Sequence, residues 1–451
     1  MPSSSDSLND GTIPSSGVVE PPVSVPRGNR LSLIQKNILR AGLTATLAIV
    51  ITAVWFIWEF HREQAVARRI EKAGGSVAFR CGLPEWVPGS IQRRLPYSDR
   101  IQIVELGGQE PPPAEGNAVS VEMMADLGSL PWLSHLIARQ THLSDDGLLQ
   151  LRGLTQLQSL DLSHTNVTDA GLKTLQNFAA LKTLDVSHTH VGDAGIANLA
   201  QLTQLATLDL SATEVSGAGI IHLQRLTNLI ALSLGDTSLA NVGLSHLDRL
   251  PNLTWLDLRR TGLNDEQLGP LRQLPNLDTL FLDGTRITDN GLREVGQLTT
   301  LVRLELNETP VSDEDLRNLR GLSELRFLSL NNTKVTGEAS GLDGLTALLR
   351  LQLKHSPVTD DGASRMRALR RLDALYLNDT ELTDEGLGRL KELIQLRTLD
   401  LSNTEITDNA IPALESLTNL KALKVTGTKL TPAGRTRIRE SLPGCSVVPA
   451  D

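Results

Sequence analysis

Trp255, Phe281, Phe327 and Tyr376 fall among Arg259, Arg260, Arg303, Arg350 and Lys354 in the central part of this chain. Rings and guanidinium groups in one neighbourhood do one of two things. They anchor a partner at an interface, or they pack on one another and shield what lies beneath. Both readings are open from the sequence. If the rings stay bare, sugar stacking is a third use. A second constellation lies upstream. Asp161, Asp185 and Asp209 form an acidic row, with His164, His188 and His190 beside it. Carboxylates and imidazoles are metal ligands, and an acidic row can take a basic partner. Here the spacing is the chain's own period rather than that of a ligand set, so the row reads as a solvated ladder. No metal or other cofactor is expected. G-x-S-x-G, H-E-x-x-H and G-x-x-x-x-G-K-[ST] do not occur, so no enzymatic chemistry is expected either.

The element that positions these residues is a repeat. L-x-x-L-x-L-x-x-T-x-[VI]-[TS]-D-x-G-L-x-x-L-x-x-L recurs every 24 residues, from Leu133, Leu157, Leu181, Leu205, Leu229, Leu253, Leu277, Leu301 and Leu325. It slips by one residue, then resumes at Leu348, Leu372, Leu396 and Leu420. A fixed period of this size means a solenoid, in which each unit contacts only its neighbours. In Leu157–Ala180, Leu160 and Leu162 point inward and Asp161 outward, as in a strand. Thr165 follows at a turn, where its hydroxyl is placed to satisfy backbone groups. Threonine recurs there at Thr141, Thr189, Thr213, Thr237, Thr261, Thr285, Thr309, Thr333, Thr380, Thr404 and Thr428, with Ser356 in the remaining unit. Thr168 and Asp169 offer helix-capping oxygens. Leu172, Leu175 and Phe178 form one helical face. The expected fold is α/β: a curved parallel sheet inside and short helices outside, with about 60 Å of inner face at ~4.8 Å per strand.

Two positions per unit face outward from such a sheet. In the central units they hold Trp255, Asp257, Phe281, Arg303, Glu305, Phe327, Arg350 and Tyr376, the expected partner-binding surface. The unit starting at Leu325 loses its Asp, gains Gly337, Gly341 and Gly344, and is one residue short. A looser outer segment and a change of curvature are expected there.

The flanks divide as follows. Residues 1–40 read as a disordered tail, rich in Ser, Pro and Gly over the first 30. Residues 41–60, AGLTATLAIVITAVWFIWEF, carry one acid, Glu59, and have the length of a transmembrane helix. Trp55 and Trp58 lie toward one end, where an aromatic belt would sit. A cleaved signal peptide is the rival, with Ala65-Val66-Ala67 as its site. Flanking basic residues are nearly balanced, and the reading taken is a signal-anchor with a short cytoplasmic tail and an exported repeat domain. Residues 61–132 form the connector, N-terminal cap and a degenerate first repeat (Ile101, Val104, Leu106). Within them 62–73 is helical up to Gly74-Gly75 and Ser76–Arg80 is a short strand. Trp86 and Trp132 belong to the cap, and Pro111–Pro113 to an insertion. The regular units fill 133–431, and 432–451 is the C-terminal cap. Cys81 and Cys445 lie at opposite ends of the array and cannot pair if it is extended. A net charge of -9 and the absence of a long basic run make nucleic acid an unexpected partner.

With these residues in place the chain resembles the leucine-rich repeat superfamily over about 101–448. The T-D-x-G-L variant is similar to ribonuclease-inhibitor-like and F-box-associated repeats, and to single-pass bacterial membrane proteins that carry them. The ending LTPAGRTRIRESLPGCSVV resembles their C-terminal cap, a helix followed by a last strand near Cys445–Val448, with Cys445 buried. The F-box portion is absent from this sequence. The resemblance implies a non-enzymatic scaffold that binds a protein on its concave face. A cell-envelope polysaccharide binder and an adaptor subunit of an enzyme or degradation complex are the alternatives.

Overall fold

The computed structural model describes residues 28–81, 99–106, 119–239, 244–338 and 341–449. The expected disorder of residues 1–27, Trp86 and the Pro111–Pro113 insertion lie outside these. The chain divides into two units, Met1–Glu59 and Phe60–Asp451. In the first, the described residues are helical. They belong to α1, Gly28–Lys72, which already includes part of the stretch read as a tail. Over Thr44–Lys72 this helix is long and apolar enough to cross a membrane, by length and composition alone. Leu47, Ile49, Ile51, Val54, Trp55 and Trp58 are exposed on it.

The second unit is a solenoid built on one sheet of sixteen strands whose order in space is their order in sequence. They are β1 Ser76–Cys81, β2 Asp99–Glu105, β3 His135–Ile137, β4 Ser159–Asp161, β5 Thr183–Asp185, β6 Thr207–Asp209, β7 Ala231–Ser233, β8 Trp255–Asp257, β9 Thr279–Phe281, β10 Arg303–Glu305, β11 Phe327–Ser329, β12 Arg350–Gln352, β13 Ala374–Tyr376, β14 Thr398–Asp400, β15 Ala422–Lys424 and β16 Ser446–Val448. β1 pairs antiparallel to β2, and every later pair is parallel. Register is constant: Leu160, Leu184 and Leu208 align, as do Leu256, Leu280 and Leu304. These leucines are fully buried or nearly so. Each contributes about 1.5–3 kcal/mol by leaving water, and the core they form is continuous along the array.

The turn after each strand explains its threonine. His164 stands at φ 55° and its counterpart His188 at φ 55°, a left-handed conformation that costs a non-glycine residue about 1–2 kcal/mol. It turns the chain so that Thr165 Oγ1 donates to the Leu162 carbonyl at 2.6 Å. The same bond is made by Thr189, Thr213, Thr237, Thr261, Thr285, Thr309, Thr333, Thr380 and Thr404. The hydroxyls therefore satisfy carbonyls that would otherwise be buried unpaired.

On the outer side the aspartate bonds the next coil. Asp169 accepts from Gly192 N of the next coil at 2.6 Å, and Asp145 from Thr168 N and Oγ1 at 2.9 and 2.7 Å. The glycine of D-x-G follows from this tie. A Cβ on Gly195 would stand 2.4 Å from Asp169 Oδ1, and one on Gly291 2.4 Å from Asp265 Oδ1. Where Asp315 replaces that glycine, its carboxylate takes over Ser312 N at 2.7 Å, and Asp289 turns to Asn318 at 2.8 Å instead. Thr168 is the helix cap, accepting from Ala170 N.

Not every outer segment is α-helical. Gly219–Arg225, Leu247–Arg249, Gly269–Gln273 and Leu342–Gly344 are 3₁₀. So is Lys173–Asn177, which carries Leu175, and there the three-residue spacing of the apolar positions is the 3₁₀ period itself. In the unit from Leu325, β11 and β12 keep their register, and at the turn Ser356 Oγ donates to the Leu330 carbonyl of the preceding coil at 2.8 Å. Gly337 of this unit stands at φ 85°.

Both ends are closed. Val66, Ala67 and Ile70 of α1 bury in the same core as Ile101 and Val104. Glu63 and Arg100, each 1% exposed, pair at 3.7 Å, and Glu63 also accepts from Ile101 N at 3.0 Å. At the other end the helix Pro432–Ser441 precedes β16. Cys445 is half-buried rather than buried, and desolvation raises its thiol pKa.

Candidate functional site

The constant register lays the central outward residues in two rows on the sheet. Trp255, Thr279, Arg303, Phe327 and Arg350 form one, and Asp257, Phe281, Glu305, Ser329, Gln352 and Tyr376 the other. Adjacent strands are ~4.8 Å apart, within reach of large side chains directly and diagonally. The result is an alternating stack. Trp255 and Phe281 meet at 5.2 Å with planes tilted by 57°. The Arg303 guanidinium lies 5.2 Å from the Phe281 ring centroid and 4.3 Å from that of Phe327. Arg350 lies 5.8 Å from Phe327, Arg259 5.2 Å from Phe281, and Lys354 5.0 Å from Tyr376.

Carboxylates hold two of the cations in place. Arg259 Nε and Nη2 fork Asp257 at 2.9 and 2.6 Å. That hydrogen bond raises the Arg259 pKa. Arg303 Nε donates to Glu305 at 2.9 Å. Asp283, two residues after Phe281, has its carboxyl pushed up to about 6 by burial, although it accepts from Asn307 N at 2.7 Å. Ser329, Asn307, Asn331 and Gln352 form a hydrogen-bonded cluster in and beside the second row.

This arrangement changes the sequence reading at particular residues. Phe281, expected to face a partner, is only 7% exposed, because Trp255, Arg259 and Arg303 roof it. Asp257, also expected to face a partner, is 2% exposed and held by Arg259. Trp255, Glu305, Phe327 and Tyr376 are half-buried, while Arg303 and Arg350 remain exposed. The surface offered outward is thus cationic over an aromatic layer. Each exposed cation–ring contact is worth about 0.5–1 kcal/mol, so the array is held in place before any partner arrives.

The acidic row behaves differently. Asp161, Asp185 and Asp209 each accept from the backbone N–H two residues on, at Ser163, Ser187 and Ser211, all at 2.9 Å. These carboxylates close their own turns. Burial and the neighbouring Asp209 and Asp161 push Asp185 up to about 6 against the pull of its Ser187 hydrogen bonds. His164 and His188 stack at 4.0 Å and 10°. Burial and the facing His188 lower the His164 pKa. Among the described residues no group of three or more His, Cys, Asp or Glu side chains is placed to hold a metal.

One surface went unread in the sequence. A groove of about 790 Å³ lies at the edge of the sheet beside Phe327 and Arg350, and arginines dominate its lining. The run RMRALRR at 365–371 was its visible signal. The repeat pattern makes those positions look like an ordinary solvated helix.

Family models described as leucine-rich repeats match residues 153–175, 180–200 and 395–417. Comparison with curated proteins gives no match. Among solved structures, an internalin from Listeria monocytogenes is 24% identical with a TM-score of 0.58, covering 74% of this chain and 89% of its own. A leucine-rich repeat protein of Leptospira interrogans is 22% identical with a TM-score of 0.54, covering 81% and 93%. At these identities the likeness is one of fold. In its period, its threonine turns and its single continuous sheet, the chain has the leucine-rich repeat fold.

Proposed function

We propose that this protein is a membrane-anchored, non-enzymatic scaffold that recognises a protein partner on the open face of its sheet. Residues 41–60 are the anchor, with the repeats on the exported side, where a large domain passes largely regardless of flanking charge. The contact surface is Trp255, Arg303, Glu305, Phe327, Arg350 and Tyr376, with Asp257 and Phe281 as its support. The observation that carries this reading is the ring-and-cation array that runs from β8 to β12, with Lys354 over Tyr376 of β13 beside it. Rings and arginines are the residue types that anchor interfaces, and an array already ordered loses little entropy on binding. Carbohydrate stacking is less favoured, because guanidinium groups already lie against Phe281 and Phe327.

Capture from envelope extracts by the full chain tests the reading. Phe281 is a poor probe, since replacing a buried Phe by Ala costs about 3–5 kcal/mol of stability. Arg303→Ala with Tyr376→Ala should abolish capture of a protein retained by the parent chain while shifting thermal unfolding little. Capture unchanged by this pair of substitutions would remove the proposed surface.

A further inference from the structure

The groove beside the array begins where β11 to β14 begin, and Arg326, Arg350, Arg370, Arg371 and Arg397 line it. Asp373 is the one carboxylate on that lining among the described residues. Phe327 and Leu349 supply its apolar wall. Its volume of about 790 Å³ lies within the ~300–1,000 Å³ of ligand-holding clefts. Two of the arginines are compensated: Arg397 reaches Asp373 at 3.4 Å and Arg370 reaches Glu392 at 3.2 Å. Arg326, Arg350 and Arg371 are exposed and have no carboxylate within ion-pair distance among the described residues.

This concentration of charge is not a property of the repeat. Arg326, Leu349, Asp373 and Arg397 each stand one residue before a strand. Earlier units hold Ser134, Gln158, Lys182, Ala206, Ile230, Thr254, Asp278 and Val302 in that column, with Lys182 its single cation. Uncompensated guanidiniums gathered around one cleft repel each other, and an anion between them relieves that cost. Their planar forks match carboxylates in particular.

We infer that this groove takes an acidic, partly apolar peptide segment of the partner. Arg326 and Arg371 grip its carboxylates, and an apolar side chain rests on Phe327 and Leu349. The proposal rests on the protein-recognition reading above and narrows it to one chemistry. A short segment fits better than a long polyanion. Four strands span only about 14 Å, and a chain of net charge -9 repels an extended anion beyond them. Phe327 faces Arg303 at 4.3 Å, which favours a peptide side chain at its edge over a sugar on its face.

The test uses the full chain in detergent micelles and fluorescence anisotropy of a labelled (Glu-Leu)4 peptide. Binding should weaken steeply with salt, and (Lys-Leu)4 should not compete. Arg326→Glu with Arg371→Glu should raise the dissociation constant about tenfold or more, as expected for charge-assisted contacts. The unfolding midpoint should stay unchanged, since neither side chain is paired or buried. Affinity unaltered by those substitutions overturns the proposal, as does absence of peptide binding. Displacement by oligogalacturonate but not by the unlabelled peptide overturns it in favour of an acidic glycan. Arg326 and Arg371 lie outside the ring array. If the charge reversals leave envelope capture intact, only this inference fails. If Arg303→Ala with Tyr376→Ala leaves capture intact, the broader reading fails.

Discussion

Two stretches of the same sheet, β4 to β6 and β8 to β13, share a backbone and differ in nearly everything laid upon it. In the first, outward aspartates spend their lone pairs on their own turns, and the surface is a self-satisfied ladder. In the second, rings and guanidiniums stack across strands and leave cationic heads exposed. The underlying coils are interchangeable: Leu184 and Leu280 are equally buried, and Thr189 and Thr285 make the same turn bond. Architecture and surface chemistry are therefore separable here. The repeat consensus supplies the stack, and departures from it at outward positions supply any specificity.

That separation can be broken at three levels. Leu184→Ala and Leu280→Ala each remove a fully buried strand residue, and each should cost about 2–5 kcal/mol in denaturant unfolding. Near-equal losses would support a common scaffold, whereas a much larger loss at Leu280 would mean that the ring array contributes to folding as well. Next, Gly195→Ala and Gly291→Ala each drive a methyl group against an aspartate of the preceding coil, 2.4 Å from its oxygen. Overpacking of this kind costs about 1–3 kcal/mol, and similar values at the two sites are expected. A neutral result at either site would refute the inter-coil tie as the reason for D-x-G.

The smallest effect is on pH. Asp185 and Asp283, one from each stretch, have native pKa values of about 6 against an ordinary 3.8, chiefly through burial. A raised acid favours the folded state when protonated. Its contribution is complete below about 3.8 and is lost as pH rises through about 6. The parent chain should therefore lose stability as pH rises from about 3.8 to about 6 relative to Asp185→Asn and to Asp283→Asn, read as the difference in melting temperature at each pH. Parallel curves for parent and variants would show that neither carboxyl is perturbed.

Much of this was legible because a solenoid is periodic. Leu160, Thr165, Gly171 and their equivalents identify strand, turn and outer segment by recurrence alone, and β1 and the helix Pro432–Ser441 were readable as caps because terminal apolar coils need covers. The candidate site was readable only as a set of positions. Whether Phe281 lies bare or roofed depends on diagonal contacts between units 24 residues apart, and local pattern says nothing of side-chain direction above a sheet. The groove was harder still, since Arg326, Arg371 and Arg397 come from separate coils and meet only through stacking.

Sequence by itself determined the period, the buried face, the hydroxyl at each turn and the aspartate–glycine pair, because each is a local condition that recurs from coil to coil. Tertiary structure alone decided that this aspartate serves the next coil, that three outward carboxylates serve their own turns, and that five arginines border one cleft. Those outcomes depend on distances between coils, and such distances exist only once the coils are stacked.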